Sequence, residues 1–243
     1  MLLAPSPAAS EFDSYSTAEL ADVGRSGLSP GVIYGGLSPG ALAAADVAAS
    51  RAKRLLDVVV SATALLLLAP ALLLIALAIY VETRGPIFFL QQRTGYLGQV
   101  FPIVKFRTMT VQEDGRAVQQ ACRGDPRITR VGAVLRKLSL DELPQLINVL
   151  RGEMSLVGPR PHAVAHDEAF MRLVPNYAQR FRARPGITGL AQVHGLRGEI
   201  VRESSIILRA AADIRYVERW SLLTDVVILA RTALLIFRDR SAF

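Results

Sequence analysis

Cysteine is almost absent from this chain of 243 residues. Cys122 is the single cysteine, so no internal disulfide can form. This excludes the small secreted folds that depend on disulfide bridges, and it fits a reducing compartment.

Aromatic residues and histidine are also scarce, and two common phosphate-binding motifs are missing. Aromatics make up 7% of the chain and do not interleave with the basic runs, which argues against a nucleic-acid partner. There is no Walker A sequence and no dinucleotide fingerprint. His162 and His166 are four apart beside Asp167 and Glu168, but a zinc site would need a further ligand and His194 is the one histidine left.

Positive charge is present in excess. The net charge is +7 and the isoelectric point is about 10.1, and most of the basic residues are arginines. Such a chain is suited to bind nucleic acid, anionic lipid or a phosphorylated small substrate. Nucleic acid is the least favoured of the three, because aromatic residues do not interleave with the basic runs.

Residues 58–81 form an apolar run without a charged residue. About 20 apolar residues are enough to span a bilayer, and the run begins too far from the N-terminus for a cleaved signal peptide. Pro70 lies at its middle, and basic residues flank both ends. Either the helix bends at Pro70 and re-enters the same side, or it spans the membrane tilted, with one basic flank on the unfavoured side. The first path is the one we predict.

The run divides the chain into three parts. Residues 1–50 are rich in Ala, Ser, Gly and Pro and predict a weakly ordered tail. Residues 51–84 are predicted to form the membrane element, and residues 85–243 a folded domain.

The sequence of this domain predicts an α+β fold, mainly helical, with a small β-hairpin. The hairpin pairs residues 86–92 with residues 100–109 across a glycine turn. Helices are predicted from about Val131 and from about Ser204 to Arg219. A last helix, residues 222–237, is either a core helix or one lying in the membrane interface.

Residues 139–161 carry the strongest functional signal. Asp141 and Glu142 adjoin Pro144, and Arg160 stands between two prolines that restrict its backbone. A carboxylate pair and a pre-aimed guanidinium in a basic chain favour phosphate chemistry with a divalent metal. Ser139 and Glu142 also fit a capping box. Alternatively the helix begins near Leu143, and its dipole then keeps both carboxylates ionised.

Six motifs in order then resemble the bacterial sugar transferase family, the monotopic polyprenyl-phosphate hexose-1-phosphate transferases. They are KRLLD at 53–57, VKFRTM at 104–109, LRKLSLDELPQL at 135–146, SLVGPRP at 155–161, RPGITGLAQV at 184–193 and WSL at 220–222. The match covers about residues 51–243. The family has a re-entrant helix broken at a proline, which implies this role for Pro70, although Ala69 replaces the usual serine before it.

The resemblance implies roles for the matching positions. Asp141 would be the nucleophile that forms a covalent phosphosugar intermediate, and Glu142 would assist with metal or proton handling. Both would contact Mg²⁺. The substrate-binding residues would be Lys105, Arg107, Arg136 and Arg160. Without the resemblance, the favoured interpretation is an exposed strand face for Lys105 and Arg107 and a solvated helix face for Arg136.

The function implied is transfer of hexose-1-phosphate from a UDP-hexose to undecaprenyl phosphate, with release of UMP. Residues 161–166 and 193–199 favour glucose or galactose as the sugar. The enzyme would start an exopolysaccharide, capsule or O-antigen repeat on the cytoplasmic face of the bacterial inner membrane, in contact with its lipids. The alternative is a catalytically silent membrane scaffold or lipid-binding module of the same fold.

Overall fold

A computed structural model describes residues 47–110, 122, 124–196 and 203–238. Most of the predicted tail, residues 1–46, lies outside the described residues. The fold is α+β and mainly helical, as predicted. In chain order its helices and strands are α1 (Arg51–Thr83), β1 (Phe88–Thr94), β2 (Val100–Phe106), α2 (Arg130–Lys137), α3 (Gln145–Arg151), β3 (Ser155–Val157), α4 (Val164–Leu173), β4 (Gly186–Thr188), α5 (Leu190–Val193), α6 (Glu203–Glu218) and α7 (Leu222–Arg238).

Helix α1 contains the whole apolar run. Ser50 caps its start by accepting a hydrogen bond from the Lys53 backbone N–H, and Arg84 ends it in a left-handed conformation. The helix continues through Pro70 without interruption. Its outward-facing leucine side chains are exposed, and Leu66 is 77% exposed. The helix is long and apolar enough to cross a membrane, by length and composition. The re-entrant path through Pro70 stays a prediction.

The first end of α1 is fixed to the folded domain by buried polar contacts. The Lys53 ammonium group forms an ion pair of 2.6 Å with Asp225 and donates to the Val157 carbonyl oxygen at 2.9 Å. One turn later, Asp57 accepts hydrogen bonds from the Ser155 hydroxyl and the Leu156 N–H, both at 3.0 Å. Because a buried charge is costly without partners, these contacts fix the direction in which α1 leaves the domain.

The second end of α1 contacts the same domain. Ile79 packs with Phe106 and Leu135 in one apolar cluster. Glu82 accepts hydrogen bonds from the first backbone N–H groups of α2, at 2.8 Å from Arg130 and 3.1 Å from Val131. The two ends of α1 therefore lie against one folded unit, whereas most side chains around Pro70 face outward.

Two small sheets support the loops of the domain. The predicted hairpin is confirmed, with β1 and β2 antiparallel from Phe88 opposite Phe106 to Thr94 opposite Val100. The second sheet pairs β3 and β4 in parallel, which the sequence analysis did not predict. Gly186 is required there, since a Cβ atom on it would lie 2.1 Å from the Gly158 nitrogen. This close pairing holds the segment that leads into Arg160.

Helix α7 has two different faces. Ile228 is fully buried in the main core with Val149, Met154 and Val157. On the outer face, hydrophobic side chains such as Leu234 are more than half exposed. The core-helix alternative is therefore confirmed for one face, and an interfacial position of the other face stays a prediction.

Candidate active site

Asp141 and Glu142 lie on a short 3-10 turn, Leu140–Glu142, between α2 and α3. Ser139 before it has a positive φ of 55° and makes no capping hydrogen bond through its side chain, so the capping-box interpretation is wrong. Helix α3 begins only at Gln145, with Pro144 as its N-cap. The carboxylate pair thus stands ahead of the helix, as the alternative predicted.

Glu142 is the anion that holds two predicted cations together. Its Oε1 is 2.8 Å from the Lys105 Nζ and 2.5 Å from the Arg160 Nη2, and its Oε2 accepts from the Arg160 Nη1 at 3.2 Å. Burial would raise the pKa of Glu142, but Arg160 and Lys105 outweigh it and hold this pKa well below its usual value. Glu142 is therefore ionised and fully engaged near neutral pH.

Asp141 has a different environment although it is the next residue. Burial, together with the charge of Glu142, raises its pKa from 3.8 to about 6 against the attraction of Lys105, Arg136 and Arg160. Both carboxylates are thus ionised near neutral pH, as expected, although the pKa of Asp141 is raised and that of Glu142 is lowered. At pH 7 the Asp141 carboxyl group is still ionised in about nine tenths of the molecules. Because its surroundings stabilise this charge only weakly, the carboxylate is available for chemistry.

Lys105 and Arg136 reach the pair from two directions. Lys105 extends from β2, and burial lowers the pKa of its ammonium group even though Glu142 opposes this effect. Arg136 extends from α2, and its Nε donates to the Thr108 hydroxyl at 2.9 Å. With Arg160, three of the four predicted substrate-binding cations surround the dyad.

The structure does not bring Arg107 to this site. Strand β2 ends at Phe106, and the buried Arg107 guanidinium instead donates to the Thr83 hydroxyl at the end of α1. The interpretation of Lys105 and Arg107 as one exposed strand face is wrong for this reason. A substrate-binding role for Arg107 stays a prediction without support from its position.

Arg160 is fixed through its backbone by a residue that the sequence analysis missed. Arg180 is 2% exposed, and its guanidinium donates to the Arg160 carbonyl oxygen. It also forms ion pairs with Asp213 at 2.7 Å and with Asp167 at 3.3 Å, and a hydrogen bond to the Tyr177 hydroxyl. No local pattern marks Arg180, which stands in an arginine-rich stretch that looks solvated. The Arg160 side chain itself is 41% exposed and can meet a ligand.

The described residues include no group of three His, Cys, Asp or Glu side chains that could enclose a metal ion. His162 and His166 pack against the Phe170 ring, and Asp167 is committed to Arg180 and Tyr177. At the dyad, the Glu142 oxygens already accept bonds from two cations, so Asp141 is the carboxylate that best fits a cation. Such a site suits Mg²⁺, which keeps several waters and takes few protein ligands.

The sequence of this chain is similar to those of known proteins. Residues 48–239 match the family model described as bacterial sugar transferase. The UDP-glucose:undecaprenyl-phosphate glucose-1-phosphate transferase of Caulobacter vibrioides is 56% identical over 186 residues, which cover 76% of this chain and 70% of that protein. The enzyme of the same name from Escherichia coli is 45% identical over 191 residues, 79% of this chain.

The relatives differ in length. The aligned part spans 41% of the Escherichia coli protein. An exopolysaccharide production protein of Rhizobium leguminosarum bv. phaseoli is 46% identical over 184 residues, which cover 92% of its length and 74% of this chain. The shared region is thus the apolar helix and the domain attached to it.

Proposed function

The chain belongs to the bacterial sugar transferase family, and on this premise we propose that it transfers hexose-1-phosphate from a UDP-sugar to undecaprenyl phosphate, with release of UMP. Glucose is the favoured sugar because the Caulobacter and Escherichia coli relatives are named for UDP-glucose, and galactose is the second candidate. The product would be the first lipid-linked sugar of an exopolysaccharide, capsule or O-antigen repeat.

The observation that carries the proposal is the Asp141 carboxylate beside three cations. Asp141 attacks the phosphorus that bears the sugar, and a new oxygen–phosphorus bond forms as the bond to the bridging oxygen breaks. That oxygen leaves on UMP with the bonding electron pair. Lys105, Arg136 and Arg160 are suited to stabilise the charge that develops on the phosphate oxygens.

A second displacement completes the transfer. A phosphate oxygen of undecaprenyl phosphate attacks the same phosphorus, and the Asp141 carboxylate leaves unchanged. Both attacking groups are anions, so neither step requires a proton to be removed first. The covalent intermediate divides one displacement into two, which lets a single carboxylate serve both substrates in turn.

Mg²⁺ is the proposed cofactor. Asp141 would hold it together with substrate oxygens and waters, and Glu142 could add an oxygen only by exchange with Arg160 or Lys105. When bound, the ion would neutralise pyrophosphate charge.

We also propose that α1 re-enters the inner membrane and bends at Pro70, with the catalytic domain on the cytoplasmic face. Two observations support this path. Both ends of α1 contact the same domain, through Lys53 at one end and Glu82 at the other. Basic residues flank both ends, which the positive-inside rule favours when both ends are cytoplasmic.

The test is UMP release by the purified full-length protein with undecaprenyl phosphate, Mg²⁺ and either UDP-glucose or UDP-galactose. Wild type should release UMP and Asp141→Asn should fall to background, with equal protein amounts checked by immunoblot. Absence of UMP from wild type with both sugars would favour the silent scaffold. Normal turnover by Asp141→Asn would exclude covalent catalysis at that residue.

A further inference from the structure

The first turn of α1 bonds to two segments of the domain through consecutive basic residues. The Lys53 ammonium group donates to the carbonyl oxygen of Val157, the last residue of β3, at 2.9 Å. The Arg54 guanidinium donates to the Val149 and Leu150 carbonyl oxygens at 2.6 and 2.8 Å, in the last turn of α3. A single turn of the apolar helix therefore holds both the strand and the helix.

The strand side leads directly to Arg160, which follows Val157 by three residues. The backbone of this segment is bonded beyond Val157 as well. The Pro159 carbonyl oxygen accepts from the Gly186 N–H at 2.9 Å, and the Arg160 carbonyl oxygen accepts from the buried Arg180 guanidinium. Because the neighbouring prolines also restrict this backbone, the place of Arg160 depends on where the Val157 end is held.

Lys53 is itself fixed by a buried network. Its ammonium group contacts three acceptors, the Val157 carbonyl oxygen, the Asp225 carboxylate at 2.6 Å and the Tyr216 hydroxyl at 3.2 Å. The Tyr216 oxygen in turn lies 3.0 Å from the Val157 carbonyl oxygen and 2.8 Å from the Asp225 carboxylate. An ammonium group has three N–H donors, so all of them are used. Moving Lys53 away from Val157 would break buried hydrogen bonds to a charged group, which is costly.

The helix side leads to the dyad. Helix α3 has seven residues, and its N-cap is Pro144, two residues after Glu142. The last carbonyl groups of a helix have no partner within it, and the Arg54 guanidinium satisfies two of them. A helix about 10 Å long moves as one rigid body, so holding its C-terminal end also holds the turn that carries Asp141 and Glu142.

The two segments meet a second time at the active site, where Arg160 binds Glu142. The Nη2 to Oε1 distance is 2.5 Å, and the Nη1 to Oε2 distance is 3.2 Å. The contacts form a closed ring, because α1 joins the strand and the helix on one side and this ion pair joins the adjoining segments on the other. A displacement of Lys53 or Arg54 would therefore change the distance between the Arg160 guanidinium and the dyad.

We propose that Lys53 and Arg54 are positioning residues of the active site, which place the Arg160 guanidinium against the dyad from the base of the apolar helix. The inference rests on the proposed function. It goes beyond the anchoring of α1, because an anchor affects the stability of the fold, whereas a positioning residue affects the reaction through Arg160. Turnover by folded variants separates the two roles.

The experiment measures kcat and the KM for UDP-glucose, from UMP release, for Arg54→Met and Arg54→Lys in the purified full-length protein. Arg54→Met is also combined with Arg160→Lys, which lacks the bidentate grip, to complete a double-mutant cycle. Arg51→Met is the matched control, because Arg51 is an exposed arginine in the same turn of α1. Melting temperatures restrict the comparison to folded variants.

Arg54→Met should lower kcat by up to about a hundredfold, the effect of a misplacement of about 1 Å, and should change the KM less. Arg54→Lys should recover part of this loss, since one ammonium group lacks the planar fork that binds two carbonyl oxygens. The loss should largely disappear in the Arg160→Lys background, because the grip that Arg54 positions is already missing there. Arg51→Met should match wild type.

A wild-type kcat in folded Arg54→Met would overturn the inference. An equal loss with and without Arg160→Lys, or in Arg51→Met, would also overturn it, because the effect would then be general and not exerted through Arg160. If Arg54→Met does not fold, Tyr216→Phe tests the strand side by removing only the hydroxyl beside the Val157 carbonyl oxygen. It should lower kcat in the same Arg160-dependent way, and a wild-type kcat would overturn the inference. The proposed function fails separately, if wild type releases no UMP from either UDP-sugar.

Discussion

Replacing Asp141 by asparagine should abolish turnover and at the same time stabilise the folded protein. Burial beside Glu142 raises the Asp141 pKa from 3.8 to about 6, so the folded state binds the proton more tightly than the unfolded chain does. The stability that protonation provides is complete below pH 3.8 and is lost as the pH rises through 6. A shift of about two units corresponds to about 3 kcal/mol, which is the cost of the ionised carboxylate at neutral pH.

Asparagine removes the ionised carboxylate and hence its cost. The Asp141→Asn variant should gain up to about 3 kcal/mol at pH 7.5 and little at pH 4, which for a chain of this size corresponds to about 6 to 12 °C in melting temperature at the higher pH. The measurement is thermal unfolding of the detergent-purified protein at both pH values. Glu142→Gln is the matched control and should have the opposite sign, because the pKa of Glu142 is lowered and its loss leaves Arg160 and Lys105 without their anion. A stabilisation by Asp141→Asn that is equal at both pH values, or a destabilisation at pH 7.5, would refute the reasoning.

Three further results are expected. Arg160→Lys should lose most UMP-releasing activity and Arg160→Ala should lose more, because lysine lacks the planar guanidinium that binds Glu142 and phosphate oxygens with two nitrogens. Equal activity of Arg160→Lys and wild type would contradict the bidentate role. The turnover rate of wild type should fall about tenfold per pH unit below pH 6, as the Asp141 carboxylate becomes protonated, and a rate unchanged down to pH 5 would exclude it as the nucleophile. Lys53→Met should cost about 3 to 5 kcal/mol in unfolding free energy by leaving Asp225 buried without its ion pair, and the double variant with Asp225→Asn should recover part of this; a melting temperature unchanged in the single variant would show that the pair does not anchor α1.

The sequence predicted those features that depend on neighbours along the chain. The apolar run forms α1, and its length and hydropathy are properties of the local sequence. A helix satisfies all its backbone hydrogen bonds internally, so such a run can be helical without packing against the rest of the chain. The hairpin forms where alternating apolar strands meet a glycine turn. Asp141 and Glu142 stand ahead of α3 because proline favours the start of a helix, and Pro144 is the N-cap of α3.

Contacts between residues far apart in the sequence determine the other features of the fold and the site. Lys105 and Arg107 are two residues apart and look equivalent, yet one meets Glu142 and the other Thr83, because β2 ends between them. The three-residue strands β3 and β4 are too short to carry a pattern, and their parallel pairing joins segments about 30 residues apart. Arg180 looks solvated in sequence and is fully buried in the fold.

The chemistry of the dyad shows the same division. The identity and order of Asp141 and Glu142 are given by the sequence, together with the proline-flanked arginine that pairs with one of them. The sequence does not determine their different pKa values, because each pKa depends on the cations that the fold brings near the carboxylate. Lys105 and Arg160 bond directly to Glu142, and Asp141 is left with burial and longer-range charge. Sequence supplied the groups for phosphate chemistry, and tertiary packing decided which carboxylate is held in ion pairs and which remains available to react.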